Sequence, residues 1–286
     1  MPTGDRQSRR AYAKINLGLR VGAPIDRGAR AGMHPIVSWI HAIELADELR
    51  VERAARTRHD IAWDSGEPVS WDPRTDLVVR AHAALEARAG RALPAAITVR
   101  KSIPDGAGLG GGSSDAASVL TAIRACCGLE IGADELGAIG HTLGSDVPFF
   151  LDDESPPRPA LVGGVGETIE RLDRRDGALT LVVPGFGCAT GAVYRAFDEL
   201  GGASAAPAPI DPAPGGAIPW DALVNDLTDA ARRVEPRLGG LIDDLGAALG
   251  LPVVTTGSGS ALMVPGHPEV PRDIPGVARV IPTRLV

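Results

Sequence analysis

The chain has 286 residues, 44% of them hydrophobic, enough for one large core or two modest ones. A formal net charge of -7 disfavours nucleic acid and anionic membrane as partners, so an anionic ligand would need a concentrated local trap. Three cysteines without CxxC or Cys/His spacing exclude a disulfide scaffold and structural zinc, and with no signal stretch or membrane-length apolar run the expected setting is a reducing cytoplasm.

Residues 1–9 are polar and are expected to be disordered. Residues 10–21 alternate: Tyr12, Lys14, Asn16 and Gly18 fall on one face, and Ala13, Ile15, Leu17 and Leu19 on the other. That pattern predicts a half-buried strand with a polar working face. Residues 36–53 read as further strand with a turn near Asp47. Residues 76–90 carry Leu77, Val78, Ala81, Ala84 and Leu85 at helical spacing, with Asp76 as N-cap and Gly90 as stop. Residues 95–103 alternate again, with Ile97, Val99, Lys101 and Ile103 on one face. A helix follows from the glycine run to about Cys127, with Ala116, Leu120, Ile123 and Cys127 inward. A second helix is expected from an Asp134 N-cap to Leu143, closed by a left-handed Gly144. Residues 202–219 are rich in Ala, Pro and Gly and predict a mobile loop. Helical patterns resume at 220–233 and 236–249, and apolar strand-like runs flank residues 255–260. Helices and strands are intermixed, so the class is α+β or α/β, divided into residues 1–158 and 159–286.

Residues 104–115 read Pro-Asp-Gly-Ala-Gly-Leu-Gly-Gly-Gly-Ser-Ser-Asp. Glycine loses the most backbone entropy on ordering, so five glycines within 106–112 are costly unless successive N–H groups must face one concavity. The run lies between a strand and a helix, whose N-terminus adds partial positive charge. Ser113 and Ser114 offer hydroxyls to phosphate or Mg²⁺. This is the anion trap that the acidic composition requires. Gly106, Gly108 and Gly111 also fit a dinucleotide-binding pattern, but no second strand ending in an acid follows at the right place. The absence of Gly-Lys-Ser/Thr excludes a Walker A loop. Of 29 Lys and Arg residues only Lys14 and Lys101 are lysine, which marks them as places that need a compact ammonium. For Lys101 a place beside a nucleotide and a plain surface role both stand. If the trapped phosphate is passed on to a hydroxyl, a carboxylate should accept the proton. Asp146 is the best candidate, held in a turn after Gly144 with Pro148 biasing Val147 toward extended backbone.

The run 104–114 resembles the signature motif of the GHMP kinases, with its proline, Gly-Leu-Gly and paired serines. Ala13-Lys14-Ile15-Asn16-Leu17 resembles that family's first motif, and Thr256-Gly257-Ser258-Gly259-Ser260-Ala261 its third. The three occur in the family's order and span nearly the whole chain. AKINLGL at 13–19, GLGGGSSDAA at 108–117 and LGSDVPFF at 143–150 are similar to one branch, whose acceptor is an alcohol linked to cytidine diphosphate. Gly164-Val165-Gly166-Glu167 and Asn225-Asp226-Leu227 also resemble its segments.

The resemblance implies a ribosomal S5 domain 2-like N-terminal domain and a ferredoxin-like C-terminal domain. It implies ATP and Mg²⁺, with no particular metal ligand singled out. ATP would bind Pro104, Gly106, Gly108, Leu109, Gly110, Gly111, Gly112, Ser113 and Ser114, with Lys101 nearby. Asp146 would be the base with Lys14 beside it. Asn16, His34, Gly257, Ser258 and Gly259 would meet the alcohol substrate, His34 reading the cytosine edge. The branch has Asp-Gly-Tyr-His where this chain has Ala31-Gly32-Met33-His34, so the stacking tyrosine is replaced by methionine. Phe186 or Tyr194 could supply the missing ring. Only 25 residues follow Ala261, so the family's last helix is expected to be shortened or lost, with a monomer or a homodimer as the form. Two rivals stand beside this reading: a homoserine- or mevalonate-type kinase of the same family, and a nucleotide-binding protein without turnover.

Overall fold

The computed structural model describes residues 5–212, 217–271 and 273–286. The chain forms two compact units built from interleaved segments. The first takes the residues up to Ala13, Leu45–Ile103 and Gly110–Pro157; the second takes Lys14–Glu44, Pro104–Leu109 and Arg158–Val286. The sequence reading placed a single boundary at residue 158. The units instead interleave: the second combines Arg158–Val286 with two earlier pieces of chain.

Two long strands, β1 (Arg6–Val21) and β2 (Ile36–Arg53), pair with each other and contribute residues to both units. In the first unit β2 runs antiparallel to β4 (Ala95–Lys101), with Glu48 opposite Arg100 and Val51 opposite Ile97. β4 runs parallel to β3 (Arg58–Trp63). Four helices complete the unit: α1 (Leu77–Ala89), α2 (Gly111–Cys126), α3 (Ala133–Leu143) and the single turn α4 (Val147–Phe150). Leu49, Val51, Ile97 and Val99 point from the strands into one core with Val78 and Leu85 of α1 and Ala116, Leu120 and Ile123 of α2. Each such side chain contributes about 1.5–3 kcal/mol by leaving water.

Several local expectations hold here. The Asp76 side chain accepts from the Val78 N–H at 2.8 Å, and Gly90 closes α1 in the left-handed region. Others are corrected. The strand expected from residue 10 starts at Arg6, and the Arg53 N–H donates to Asp5 O at 2.8 Å, so residues 5–9 are ordered by backbone pairing despite their polar side chains. No turn interrupts β2 at Asp47: the strand is continuous, and Asp47 is buried within it because its carboxylate has partners described below. Cys126 rather than Cys127 is the buried cysteine of α2. Gly132, not Asp134, stands at the start of α3, and Gly144 leaves it extended (φ 176°) rather than left-handed. Val147 is helical before Pro148, because the proline falls in the first turn of α4, where its missing N–H costs nothing.

In the second unit β2 also pairs antiparallel with β5 (Ala160–Gly164), and β5 with β6 (Thr168–Arg171). A separate antiparallel sheet has the order β10-β7-β9-β8, made of β7 (Ala178–Pro184), β8 (Val254–Thr255), β9 (Leu262–Pro265) and β10 (Val277–Arg284). It packs with α5 (Thr190–Glu199), α6 (Thr228–Val234) and α7 (Pro236–Leu249) through Val182, Leu262, Val193, Ala230, Leu238 and Leu245. Of the helix expected over residues 220–233, Trp220–Ala222 form one 3-10 turn and the α-helix begins only at Thr228. Upstream, the Leu19 N–H donates to Val224 O and the Asp226 N–H to Leu19 O, so residues 224–226 pair with β1 instead. Residues 202–212 and 217–219 hold no helix or strand; the rest of that expected loop lies outside the described residues. After Ala261 the chain forms β9 and β10, and β10 lies along β7 from Val277 to Arg284. Among the described residues no helix is long and apolar enough to cross a membrane.

Candidate active site

Alternation along β1 puts Lys14 and Asn16 on one face, and the second unit surrounds them with polar partners. Lys14 Nζ donates to Asn16 Oδ1 at 2.7 Å. Asn16 Nδ2 donates to Ser38 Oγ at 2.7 Å, and that hydroxyl donates on to Gly18 O at 2.8 Å. Both side chains are nearly inaccessible, at 5% and 6% exposure. Their geometry is therefore fixed by hydrogen bonds rather than by chance of rotamer.

The first half of the glycine run docks on the same spot. The Lys14 N–H donates to Leu109 O at 2.9 Å, and the Ala261 N–H donates to Ala107 O at 3.3 Å. The turn at residues 256–261 meets both: Asn16 N–H donates to Thr256 Oγ1 at 2.7 Å. A Cβ on Gly108 would stand 3.1 Å from Gly259 O and 3.3 Å from Thr256 O, and Gly108 has φ 78°. A Cβ on Gly257 would stand 3.2 Å from Asn16 Oδ1 and 3.6 Å from Lys14 Nζ. Only glycine allows these backbones so close to one another and to the ammonium. Asn225 holds the turn from behind, donating to Thr255 O at 3.0 Å and Gly257 O at 2.8 Å. Ser258 Oγ shares a 2.9 Å hydrogen bond with Thr190 Oγ1. Thus Lys14, Asn16, Gly108, Leu109, Gly257 and Gly259, scattered over most of the chain, form one cluster, with Ser258 on the same turn and Pro104 and Gly106 on the same loop.

The second half of the run belongs to the first unit. Gly110, at φ 72°, is the cap of α2, and the first helical bond runs from Ser114 N–H to Gly110 O at 2.9 Å. The N–H groups of Gly111, Gly112 and Ser113 precede that bond and have no acceptor within the helix. They form an anion-attracting helix start. Ser113 is half-buried and Ser114 buried. A Cβ on Gly144 would lie 3.8 Å from Ser113 Oγ, so the turn leading to Asp146 runs beside α2. Asp146 is half-buried at the head of α4 (φ -86°, ψ -15°).

Lys101 corrects its surface reading, because only 4% of it is exposed. Its ammonium donates to Asp115 Oδ2 of α2 at 2.6 Å and to Asp47 Oδ2 of β2. Asp47 Oδ1 also accepts the N–H groups of Ser102 at 2.5 Å and Ile103 at 2.8 Å. Burial pulls the ammonium down, but Asp115 and Asp47 outweigh it and hold Lys101 above the usual lysine range. Burial pushes the Asp115 carboxyl up to about 8, against the pull of Lys101 and with help from Asp47. Its Oδ1 is buried without a hydrogen-bond partner. The would-be Cβ of Gly111 lies 3.4 Å from Lys101 Nζ, so this cluster sits directly under the start of α2. Sequence reasoning found Lys101 but missed Asp47 and Asp115. The signal available was the charge on the same alternating face of β2 and the Asp that ends the glycine-serine run.

His34 is 9% exposed, with Nδ1 2.9 Å from Gly22 O and Nε2 3.4 Å from an Asp198 carboxylate oxygen. Its ring lies 5.3 Å from Tyr194 and 6.0 Å from Phe197. Of the two rings suggested as substitutes for the missing tyrosine, Tyr194 stands beside His34, whereas Phe186 lies under the Arg237 guanidinium at 4.5 Å. Met33 is 43% exposed. Among the described residues no group of three or more His, Cys, Asp or Glu side chains could hold a metal ion.

Residues 76–153 match the family of GHMP kinases N terminal domain, a span that contains α1, the glycine-serine run and Asp146. The structure also resembles L. major mevalonate kinase solved with R-mevalonate, with TM-score 0.64 over 100% of this chain and 98% of that one; at 10% identity this is a likeness of fold alone. The family model and the nearer relatives set the class, that of the small-molecule kinases. At closer range, a curated 4-diphosphocytidyl-2-C-methyl-D-erythritol kinase of Nocardioides sp. is 36% identical over 271 residues, covering 87% of this chain and 85% of the relative. A crystal structure of 4-(cytidine 5'-diphospho)-2C-methyl-D-erythritol kinase matches at TM-score 0.71 and 31% identity, over 98% of this chain and 99% of that one. The chain belongs to the GHMP kinase family, in the branch of the 4-diphosphocytidyl-2-C-methyl-D-erythritol kinases.

Proposed function

We propose that the protein transfers the γ-phosphoryl group of ATP to the 2-hydroxyl of 4-diphosphocytidyl-2-C-methyl-D-erythritol, a step of non-mevalonate isoprenoid synthesis in the cytoplasm. The relatives' names supply the acceptor. The observation that carries the chemistry is the meeting of the Lys14–Asn16 pair with Gly108 and the 256–261 turn, two glycine backbones pressed together, with Gly257 against the buried ammonium. Phosphoryl transfer asks for positioning and charge compensation rather than covalent help. In this reading the N–H groups from Gly106 to Ser113 receive the polyphosphate, and Lys14 offsets charge on the transferring group. Asp146 accepts the hydroxyl proton as the oxygen attacks. Asn16 and the turn at Gly257, Ser258 and Gly259 orient the alcohol, while His34 and Tyr194 bound the cytosine end. Lys101 acts from below, as the support of α2 rather than as a phosphate ligand.

Mg²⁺ bound with a nucleotide keeps phosphate oxygens and waters and needs one or two protein oxygens. The hydroxyls of Ser113 and Ser114 fit that demand, and the ion would neutralise phosphate charge there.

The test is ADP release with the cytidyl alcohol, homoserine and mevalonate, comparing native protein with Asp146→Asn. Turnover is expected on the cytidyl alcohol, with a loss of about 10²–10⁴-fold in the variant. Equal rates would remove Asp146 from the mechanism. Activity on homoserine or mevalonate alone would move the protein to another branch of the family.

A further inference from the structure

The Asn-Asp-Leu run at 225–227 takes no direct part in the proposed phosphoryl transfer, yet it ties two parts of the site to each other. Its backbone is fixed to β1. The Leu19 N–H donates to Val224 O at 2.8 Å, and the Asp226 N–H donates to Leu19 O at 3.0 Å. The Asp226 carboxylate adds two more ties to the same strand, accepting from Arg20 Nη1 at 2.9 Å and from the Val21 N–H at 3.0 Å. The Asn225 side chain serves the glycine turn instead. Its Nδ2 donates to Gly257 O at 2.8 Å and Thr255 O at 3.0 Å, with Thr255 Oγ1 at 3.1 Å. Its Oδ1 accepts the Leu227 N–H at 3.0 Å. An amide suits this set because one end must donate to two carbonyls while the other accepts an N–H. The turn therefore hangs from β1 at two points: Asn225, and the 2.7 Å bond from the Asn16 N–H to Thr256 Oγ1. Gly257 stands beside both, and its would-be Cβ lies 3.6 Å from Lys14 Nζ. Because β1 carries Lys14 and also holds residues 224–226, any slack at Asn225 moves the turn relative to the ammonium.

We infer that Asn225 is a positioning residue for phosphoryl transfer, its amide a strut that holds Gly257 and the turn after it in place against the Lys14 ammonium. The inference rests on the kinase reading above and adds to it a residue that acts only through others. Two N–H···O bonds from one planar group fix the direction of the Thr255 and Gly257 carbonyls as well as their separation. Phosphoryl transfer draws its rate from alignment, and a misplacement of about 1 Å caused far from the chemistry costs on the order of 10²-fold. Three of the N–H groups that receive the polyphosphate, those of Gly111, Gly112 and Ser113, belong to the start of α2, with which Asn225 makes no hydrogen bond. The loss on removing the strut therefore falls on kcat rather than on KM for ATP.

Three variants of the full-length protein test this. Asn225→Asp is nearly isosteric and keeps the acceptor for the Leu227 N–H, but it turns an oxygen toward Thr255 O and Gly257 O. Asn225→Ala removes the strut. Thr228→Val is the control: Thr228 Oγ1 shares a 2.6 Å hydrogen bond with Thr255 Oγ1, so its loss loosens β8 without touching Gly257. Both Asn225 variants should lower kcat on the accepted alcohol by about 10–100-fold, with KM for ATP changed by less than about threefold. Thr228→Val should keep kcat within about twofold while its melting temperature falls by about as much. Amide hydrogen exchange in the peptide spanning 255–261 supplies a readout that needs no turnover; it should be faster in the Asn225 variants and close to native in Thr228→Val. Native protein inactive on every alcohol offered would refute the kinase reading, and exchange alone would then decide the strut. Native kcat in Asn225→Asp, an equal loss of kcat in Thr228→Val, or unchanged exchange in the Asn225 variants would each overturn the inference.

Discussion

Replacing Lys101 by methionine keeps the length of the side chain and removes the one cation between Asp47 and Asp115, both almost wholly buried. Breaking a buried ion pair from one side costs about 3–5 kcal/mol, because the remaining charge loses its partner without regaining water. Here Asp47 is the charge left without its cation, though it keeps two backbone N–H donors, while Asp115, already pushed up to about 8, takes up a proton. For a unit of this size the cost corresponds to a melting temperature lower by about 6–20 °C. Asp115→Asn makes the informative contrast. It keeps an oxygen for Lys101 and removes a carboxyl already pushed up to about 8, so the change should stay within about 1 kcal/mol. Lys101→Arg should also destabilise, by about 1–3 kcal/mol, since the start of α2 leaves no room for a guanidinium. Urea unfolding of the three variants at pH 7.5 gives the order directly. If Lys101→Met proves no worse than Asp115→Asn, the cluster is not the support of the phosphate loop.

Gly108→Ala forces a Cβ to 3.1 Å from Gly259 O at φ 78°, and should raise KM for ATP several-fold while lowering the melting temperature by only a few degrees; steady-state kinetics beside a thermal melt checks this. His41 is buried, with Nδ1 donating to Ala42 O at 2.8 Å; burial pulls its pKa down to about 4, aided by Arg174 and Arg175 and opposed by the Ala42 carbonyl. A depressed histidine takes up its proton more readily when unfolded, so its contribution is complete above about pH 6.5 and declines as pH falls toward 4. That contribution reaches about 3 kcal/mol at most, and His41→Gln should flatten the urea-midpoint profile over this window. Met33→Tyr restores the ring that the branch carries at an exposed position, and should lower KM for the cytidyl alcohol about two- to tenfold while leaving KM for ATP unchanged.

Much of the site was legible because its residue types are costly elsewhere. A run of five glycines beside paired serines has few uses, and two lysines among many arginines stand out. Alternation along β1 placed Lys14 and Asn16 together before any partner was known. Asp47 was harder to place. A carboxylate inside an apolar alternation reads as a turn, and the ammonium that makes its burial tolerable lies 54 residues further along. Helix ends were misread where local chemistry lost to tertiary geometry. Gly144 is extended as the chain turns toward Asp146, and Pro148 begins a helix that its effect on Val147 argued against. Within the stretch of helical periodicity after residue 220, residues 224–226 give their backbone groups to β1.

The scarcity of lysine has a practical outcome. An acylating reagent has only two ε-amines to find, and neither faces open solvent. Lys101 is locked as an ammonium between carboxylates and should resist. Label read on the Lys14 peptide would therefore report on that ammonium alone, and its suppression by nucleotide would map occupancy of the cradle without any turnover being measured.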